Sequence, residues 1–249
     1  KENNIEIFSS PFDETAVDLL ENLNVQIYKI ASPEIFDLQL LKKVANTKKP
    51  VILSTGLAEY EDIELAINTL RENGCIDIVL LKCSTSYPLP YDEVNLKTMV
   101  DYKEKFDVII GFSDHTIGIG PPLAAVAMGA KVIEKHIVFE NEDTVDSFFS
   151  LNTSSFEKMI KEIRNIEKSI GDIDYKLTES VKKNYWARRS LYFHKNVNKG
   201  DEIKGSYKSV RPGYGLHPKH FDEISSYVAT KDIEVGDRVD WDVIRKREN

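Results

Sequence analysis

Val108-Ile-Ile-Gly-Phe112 runs on into Ser113-Asp114-His115, and Lys131-Val-Ile-Glu-Lys-His136 repeats the plan: an apolar run that ends in polar side chains. Both runs are too short for helices and are rich in β-branched residues, so they read as strands of a parallel sheet. Working outward, the same texture recurs at Ile5–Ser9, Gln26–Ile30, Val51–Ser54 and Asp77–Cys83. Amphipathic helical patterns lie between the runs, near Glu14–Leu23, Ile35–Ala45, Glu61–Asn73, Glu93–Phe106 and Pro122–Met128. A further helix is expected over Ser154–Ile170, where Ser154 and Glu157 have the spacing of a capping box. Such alternation argues for an α/β fold with helices outside a parallel sheet. From Ile5 to Ile170 the six units average about 28 residues, near the roughly 31 of a (β/α)8 barrel, but two units are absent. A doubly wound sheet of six strands needs no missing piece, yet no G-x-G-x-x-G follows the first strand. Periodicity alone leaves the two architectures even.

Beyond this region the texture changes. Gly171–Lys183 is polar and reads as a linker with a short helix, and Arg188–Asn249 reads as a separate small β domain. Its expected strands are Ser190–Phe193, Glu202–Ile203 and Val239–Trp241. A weak repeat relates Asn196-Val-Asn-Lys-Gly-Asp-Glu-Ile203 to Asp232-Ile-Glu-Val-Gly-Asp-Arg-Val239; each sets a Gly-Asp turn between apolar edges, which suits a hairpin. The domains are thus expected at 1–172, 173–187 (linker) and 188–249.

The 249 residues carry 33 Lys+Arg against 41 Asp+Glu, a formal net charge of −8, with no basic stripe to offset it. That balance excludes a general nucleic-acid binder. No apolar run approaches the roughly 18 residues of a membrane span, and no leader segment is visible, so a cytoplasmic protein with no membrane partner is expected. Cys75 and Cys83 do not form a C-x-x-C and read as core or strand residues.

Chemistry in a parallel barrel gathers where the strands end. Here every end is polar: Ser9-Ser10, Lys29 with Ser32, Ser54-Thr55-Gly56, Ser84-Thr85-Ser86-Tyr87, Ser113-Asp114-His115 and Glu134-Lys135-His136. Strand alternation puts Gly111, Ser113 and His115 on one face, and Val132, Glu134 and His136 on one face of the next strand. If both faces point inward, His115 and His136 lie close enough to hold a divalent metal. Asp114, Glu134 and Asp146 are then candidate bases or orienters of the imidazoles. Lys29, Ser32, Ser54 and Ser113 supply one cation and three hydroxyls, which suits a phosphate or carboxylate. Thr85 and Tyr87 could close the same pocket. In the small domain Arg211-Pro-Gly-Tyr-Gly-Leu-His-Pro218 presents an Arg on a preset loop, a good clamp for a carboxylate or a sugar hydroxyl.

Phe8-Ser-Ser-Pro-Phe12, Tyr28-Lys-Ile-Ala-Ser32, Leu53-Ser-Thr-Gly56, Leu81-Lys-Cys-Ser-Thr-Ser-Tyr-Pro88, Gly111-Phe-Ser-Asp-His115, Val132-Ile-Glu-Lys-His136, Asp146-Ser-Phe-Phe-Ser-Leu151 and the Arg211 loop occur in this order. Together they resemble the sialic acid synthase family of nonulosonic acid synthases, nearest to its pseudaminic acid branch. The resemblance covers essentially the whole chain. It implies a TIM barrel followed by a small antifreeze-like (SAF) β domain. It also implies condensation of phosphoenolpyruvate with an amino sugar, here 2,4-diacetamido-2,4,6-trideoxy-L-altrose, with release of phosphate. His115 and His136 match the ligands of Mn2+ or Mg2+. Lys29, Ser32, Ser54 and Ser113 match positions that hold phosphoenolpyruvate, with Ser10 and Thr85 beside them. Glu134 and Asp146 match carboxylates near metal, sugar and attacking water. Arg211 matches an arginine inserted into the site of a partner subunit, so a domain-swapped homodimer is expected.

The chain departs from the family pattern in lacking the two βα units that open the barrel. The expectation is a fragment whose end strands, Ile5–Ser9 and Lys131–His136, show bare edges. The segment Phe139-Glu-Asn-Glu-Asp-Thr-Val145 is also more acidic than its family counterpart. The alternatives within the family are an N-acetylneuraminic or a legionaminic acid synthase. Outside enzymology the alternative is an inactive remnant that only binds ligand.

Overall fold

A computed structural model of the chain describes residues 5–140 and 142–247. The chain forms two compact units, Lys1–Asp172 and Ile173–Asn249. The first unit runs α1 (Glu14–Asn22), β1 (Tyr28–Ile30), α2 (Leu38–Asn46), β2 (Val51–Ser54), α3 (Tyr60–Glu72), β3 (Ile78–Lys82), α4 (Leu96–Phe106), β4 (Ile109–Asp114), α5 (Gly120–Ala127) and β5 (Val132–Lys135). Two short paired strands follow, β6 (Ile137–Val138) and β7 (Leu151–Asn152), and then α6 (Thr153–Ile170).

Strands β1 to β5 pair in chain order and all are parallel. A doubly wound sheet reverses its strand order at a switch point. This one never reverses; it curls as a half-barrel. One face of each strand meets the helices. There Tyr28, Ile30, Leu53, Leu80 and Phe112 join Leu40, Leu41, Ile67 and Leu70 in a single buried core. Local signals start the helices: Asp13 Oδ1 accepts from Ala16 N at 2.9 Å, and Asp37 Oδ1 accepts from Leu40 N at 3.1 Å.

Two expectations need correction here. Ile5–Ser9 forms no strand, so the sheet has five strands rather than six. Its tie to the sheet is one long backbone bond, Lys29 N to Ser9 O at 3.5 Å, and Ile5 and Ile7 are exposed. An extended run becomes a strand only where a neighbour takes its N–H and C=O groups. The sheet edges are therefore β1 and β5. The second correction concerns α6. It opens at Thr153, one residue early, and its cap is Asn152, whose Oδ1 accepts from Ser155 N at 2.9 Å. Ser154 already lies inside the first turn, so the Ser154–Glu157 capping box does not form.

The second unit holds α7 (Glu179–Lys182), β8 (Ser190–Phe193), β9 (Tyr207–Val210), β10 (Tyr227–Ala229) and β11 (Ile244–Lys246). The expected linker 173–187 lies within it and contains α7. β8 pairs with β9, and β10 with β11, both antiparallel, around buried Leu191, Phe193, Ile203, Ile224 and Val239. The two Gly-Asp turns form as expected. Asp201 N bonds Asn198 O and Asp237 N bonds Glu234 O, each at 3.1 Å, with Gly200 and Gly236 at φ of +90° and +97°. Neither turn closes a hairpin. Val197 pairs instead with Ile233 of the other repeat, Glu202 with Val228 and Arg238 with Tyr192. Of the expected stretch Glu202–Ile203, Glu202 makes a single bridge, and Val239–Trp241 forms neither strand nor bridge, the bridge residue beside it being Arg238. Among the described residues no helix is long and apolar enough to cross a membrane.

Candidate active site

The register of the sheet decides which side chains share its concave face. Lys29 stands opposite Ile52, Ser54 opposite Leu81, Gly111 between Leu81 and Val132, and Ser113 opposite Glu134. With alternation, Lys29, Ser54, Ser113, His115, Glu134 and His136 therefore face one way, as the sequence predicts. Lys29, Ser54, Ser113 and His115 are buried, Lys29 to 7% exposure.

These side chains are bonded to one another. Lys29 Nζ donates to Ser54 Oγ at 2.7 Å and to Ile30 O at 2.9 Å, and lies 3.7 Å from Glu134 Oε2. Ser113 Oγ donates to Glu134 Oε1 at 2.7 Å. Burial pushes the Lys29 ammonium below its ordinary pKa, and the Glu134 carboxylate works against that. Beside this chain is a second group. Ser32 Oγ accepts from Gly56 N at 2.8 Å and lies 3.6 Å from Cys83 Sγ. Thr85 Oγ1 is buried with no hydrogen-bond partner. A Cβ on Gly56 would stand 2.3 Å from Thr85 Oγ1 and 2.7 Å from Ser32 Oγ, so only glycine leaves these hydroxyls their place. A buried hydroxyl without a partner, grouped with Ser32 around Gly56, marks where a ligand's polar atom would sit.

The imidazoles of His115 and His136 meet at the rim, ring centroids 5.4 Å apart. Tyr87 lies against both, at 4.3 and 6.0 Å, and Phe149 lies 4.8 Å from His136. His115 Nδ1 is 2.9 Å from Ser84 O; a carbonyl only accepts, so the proton is on Nδ1, and the rest of the ring faces Cys83. His136 Nδ1 is 3.5 Å from Asp146 Oδ2, whose side chain is 56% exposed. Burial opposes the charged form of His115, but its bonds with Cys83 and the Ser84 carbonyl outweigh this and carry its pKa up. Burial and the neighbouring His115 bring His136 down. Two neutral-capable imidazoles with an anchored tautomer fit a divalent cation that takes its other positions from water and substrate. Among the described residues no group of three or more His, Cys, Asp or Glu is arranged to hold a metal.

Other placements differ from expectation. Among the described residues no hydrogen bond or ion pair ties Ser10 to this cluster. Arg211 lies in the second unit, exposed, on a loop fastened by buried Ser190. The Ser190 hydroxyl donates to Pro212 O at 2.6 Å and accepts from Gly215 N at 2.9 Å. Asp114, expected as a base or an orienter, lies on the opposite face of β4 and is paired with Lys135. Alternation dictates this, since Asp114 falls between Ser113 and His115. Cys83, expected to be inert, belongs to the site. Burial raises its thiol, but bonds with His115, Ser32 and Ser113 bring it below its ordinary pKa. Sequence reasoning also missed Glu34, whose Oε2 is buried without a partner and whose charge acts on Lys29. It missed Lys82 too, a buried ammonium that donates to Cys83 O at 2.7 Å and Ser84 Oγ at 2.8 Å. The signal for both was a charged residue within or just after a motif already singled out.

A family profile described as the NeuB family matches residues 1–175. The chain belongs to the NeuB family. Among its NeuB relatives is the pseudaminic acid synthase of Campylobacter jejuni, 42% identical over 92% of this chain and 68% of the relative. The N,N'-diacetyllegionaminic acid synthase of the same organism is also 42% identical, over 94% and 72%. The crystal structure of the spore coat polysaccharide biosynthesis protein SpsE of Bacillus subtilis superimposes with a TM-score of 0.65 at 32% identity, over 99% of this chain and 75% of that one.

Proposed function

We propose that this NeuB chain is a pseudaminic acid synthase. It joins phosphoenolpyruvate to the open-chain aldehyde of 2,4-diacetamido-2,4,6-trideoxy-L-altrose and releases phosphate. The observation that carries the reading is the buried Lys29–Ser54 pair, linked through Glu134 to Ser113. Lys29 and the hydroxyls of Ser32, Ser54, Ser113 and Thr85 hold the phosphate and carboxylate of phosphoenolpyruvate. Ser10 and Tyr87 bound the same pocket. The enol carbon adds to the aldehyde carbon, water adds to the carbon left electron-poor, and phosphate departs. Glu134, oriented by Ser113 and Lys29, and Asp146, beside His136, are the carboxylates that take the proton of that water. His115 and His136 hold Mn2+ or Mg2+. Bound there, such a cation would supply Lewis acidity toward the aldehyde oxygen.

The second unit is read as the SAF domain of a cytoplasmic enzyme, and Arg211 as completing the site of a second copy in a domain-swapped homodimer. Two inactive variants test that arrangement. Arg211→Ala and Lys29→Ala chains, mixed and refolded, are expected to recover up to about a quarter of the parent activity, through dimers that hold one intact site. No recovery would place Arg211 in the site of its own chain.

Phosphate release tests the reaction itself. The chain is assayed with phosphoenolpyruvate and three acceptors, of the altrose, legionaminic-precursor and mannosamine types. Release with the altrose alone supports the proposal, and release with one of the others reassigns the acceptor. The open sheet edges at β1 and β5 favour a second reading, a domain that binds without turnover. Phosphoenolpyruvate binding with no release from any acceptor would establish it.

A further inference from the structure

Lys135 and Asp114 form an ion pair that solvent does not reach. Nζ and Oδ2 are 2.6 Å apart, and the side chains are 1% and 0% exposed. The pair lies on the outward face of the sheet, behind the candidate site, at the facing ends of β4 and β5. Its bonds extend to one more residue. Asp114 Oδ1 accepts from Thr116 N at 2.9 Å, and Oδ2 accepts from the Thr116 hydroxyl at 3.2 Å. Lys135 Nζ also donates to the Thr116 carbonyl. One ammonium on β5 thus grips the residues on both sides of His115, and Lys135 itself immediately precedes His136.

Stability is a poor reason for such a pair. Desolvating two charges offsets most of their attraction, and well-packed apolar side chains of similar volume commonly serve as well. The arrangement does what apolar packing cannot: it fixes both strand ends by directed bonds. The His115 ring has its own polar anchor in Ser84 O, whereas the His136 ring, packed against Phe149 and Tyr87, has among the described residues no polar approach closer than 3.5 Å, to half-exposed Asp146. The placement of His136 relative to His115 therefore depends on the backbone that Lys135 holds. We infer that Asp114 and Lys135 are positioning residues that set the separation and orientation of the two imidazoles. The metal arm of the test rests on the reading of His115 and His136 as metal ligands; the geometric arm does not.

The test uses the full chain and an apolar replacement of the pair, Asp114→Leu with Lys135→Met, checked for folding by circular dichroism. Two signals are read: affinity for Mn2+ alone by calorimetry, and the imidazole resonances of the five histidines by NMR. The expected result is a folded variant with Mn2+ affinity lowered ~10–100-fold. The His115 and His136 resonances move, while those of His194, His217 and His220 stay. A folded variant with parent Mn2+ affinity and unmoved His115 and His136 resonances overturns the inference. If the parent binds no Mn2+, the metal reading fails, and the resonances alone decide the positioning role. If the double variant does not fold, Lys135→Arg is read the same way. It keeps the charge but replaces a compact ammonium with a planar fork that cannot reproduce the grip on Asp114 and Thr116. Unmoved signals there also overturn the inference.

Discussion

Replacing Lys29 with alanine is expected to lower kcat/KM for phosphoenolpyruvate by about 10²–10³, the usual cost of removing one preorganised donor from a developing or bound anion. The ammonium is buried, and its other contacts are neutral apart from Glu134. In a site of low dielectric such a charge acts on an anion far more strongly than it would in water. The fold should survive the change. Glu134 keeps its bond from Ser113 and has a side chain 41% open to water, so that carboxylate is not stranded. Loss of the ammonium also removes a desolvation cost that the folded state now bears. Lys29→Arg should not restore activity, because the planar guanidinium cannot occupy the place of a compact ammonium between Ser54 and the Ile30 carbonyl. The measurements are phosphoenolpyruvate binding by calorimetry and phosphate release. Unchanged binding in Lys29→Ala would move the anion site elsewhere.

The largest loss of stability is expected from Phe112→Ala. Phe112 is fully buried at the centre of β4, on the helix side of the sheet, and stands opposite Lys82 and Ile133. Truncating a buried Phe costs about 3–5 kcal/mol through lost transfer energy and the cavity left behind. At ~1.4 kcal/mol per decade this is a shift of roughly two to three and a half decades toward the unfolded state. Two optical probes separate the units. Both tryptophans, Trp186 and Trp241, lie in the second unit, while α1 to α6 lie in the first. In urea the helical signal at 222 nm should lose its midpoint stability, and the tryptophan fluorescence transition should stay where it is. A shift of both together would mean that the units unfold as one cooperative block.

Much of the barrel unit was legible because buried parallel strands are continuous apolar runs. The Val51–Ser54 run has the same bounds as β2, and alternation puts Ser113 with His115, and Glu134 with His136, on one face of each strand; that Lys29 and Ser54 share that face comes from the register. Architecture was not legible from periodicity, since barrel and doubly wound sheets share the same alternation and differ only in strand order. Ile5–Ser9 misled because its pattern is strand-like, whereas a ladder needs repeated backbone bonds and the bond it makes to β1 is a long one from Lys29 N to Ser9 O. The role of Asp114 was misread for the same kind of reason. Its face could be read from the chain, but its partner Lys135 comes from a register between two strands. Cys83 looked inert because thiol chemistry depends on what surrounds it, and His115 and Ser32 reach it from distant parts of the chain.

The repeat in the second unit has a topological meaning. Val197 and Ile233 exchange both backbone bonds, at 3.0 and 2.9 Å. The far arm of the first repeat docks through Ile203 N on Tyr227 O, and that of the second through Val239 N on Leu191 O. Each half thus supplies the strand partner that the other lacks, and neither has a finished border of its own. The two halves are interlocked in the manner of a clasp, so covalent continuity between them is not what keeps them together. A cut between the repeats beyond Pro218 is expected to leave the clasp shut and the loop carrying Arg211 pinned by the Ser190 hydroxyl.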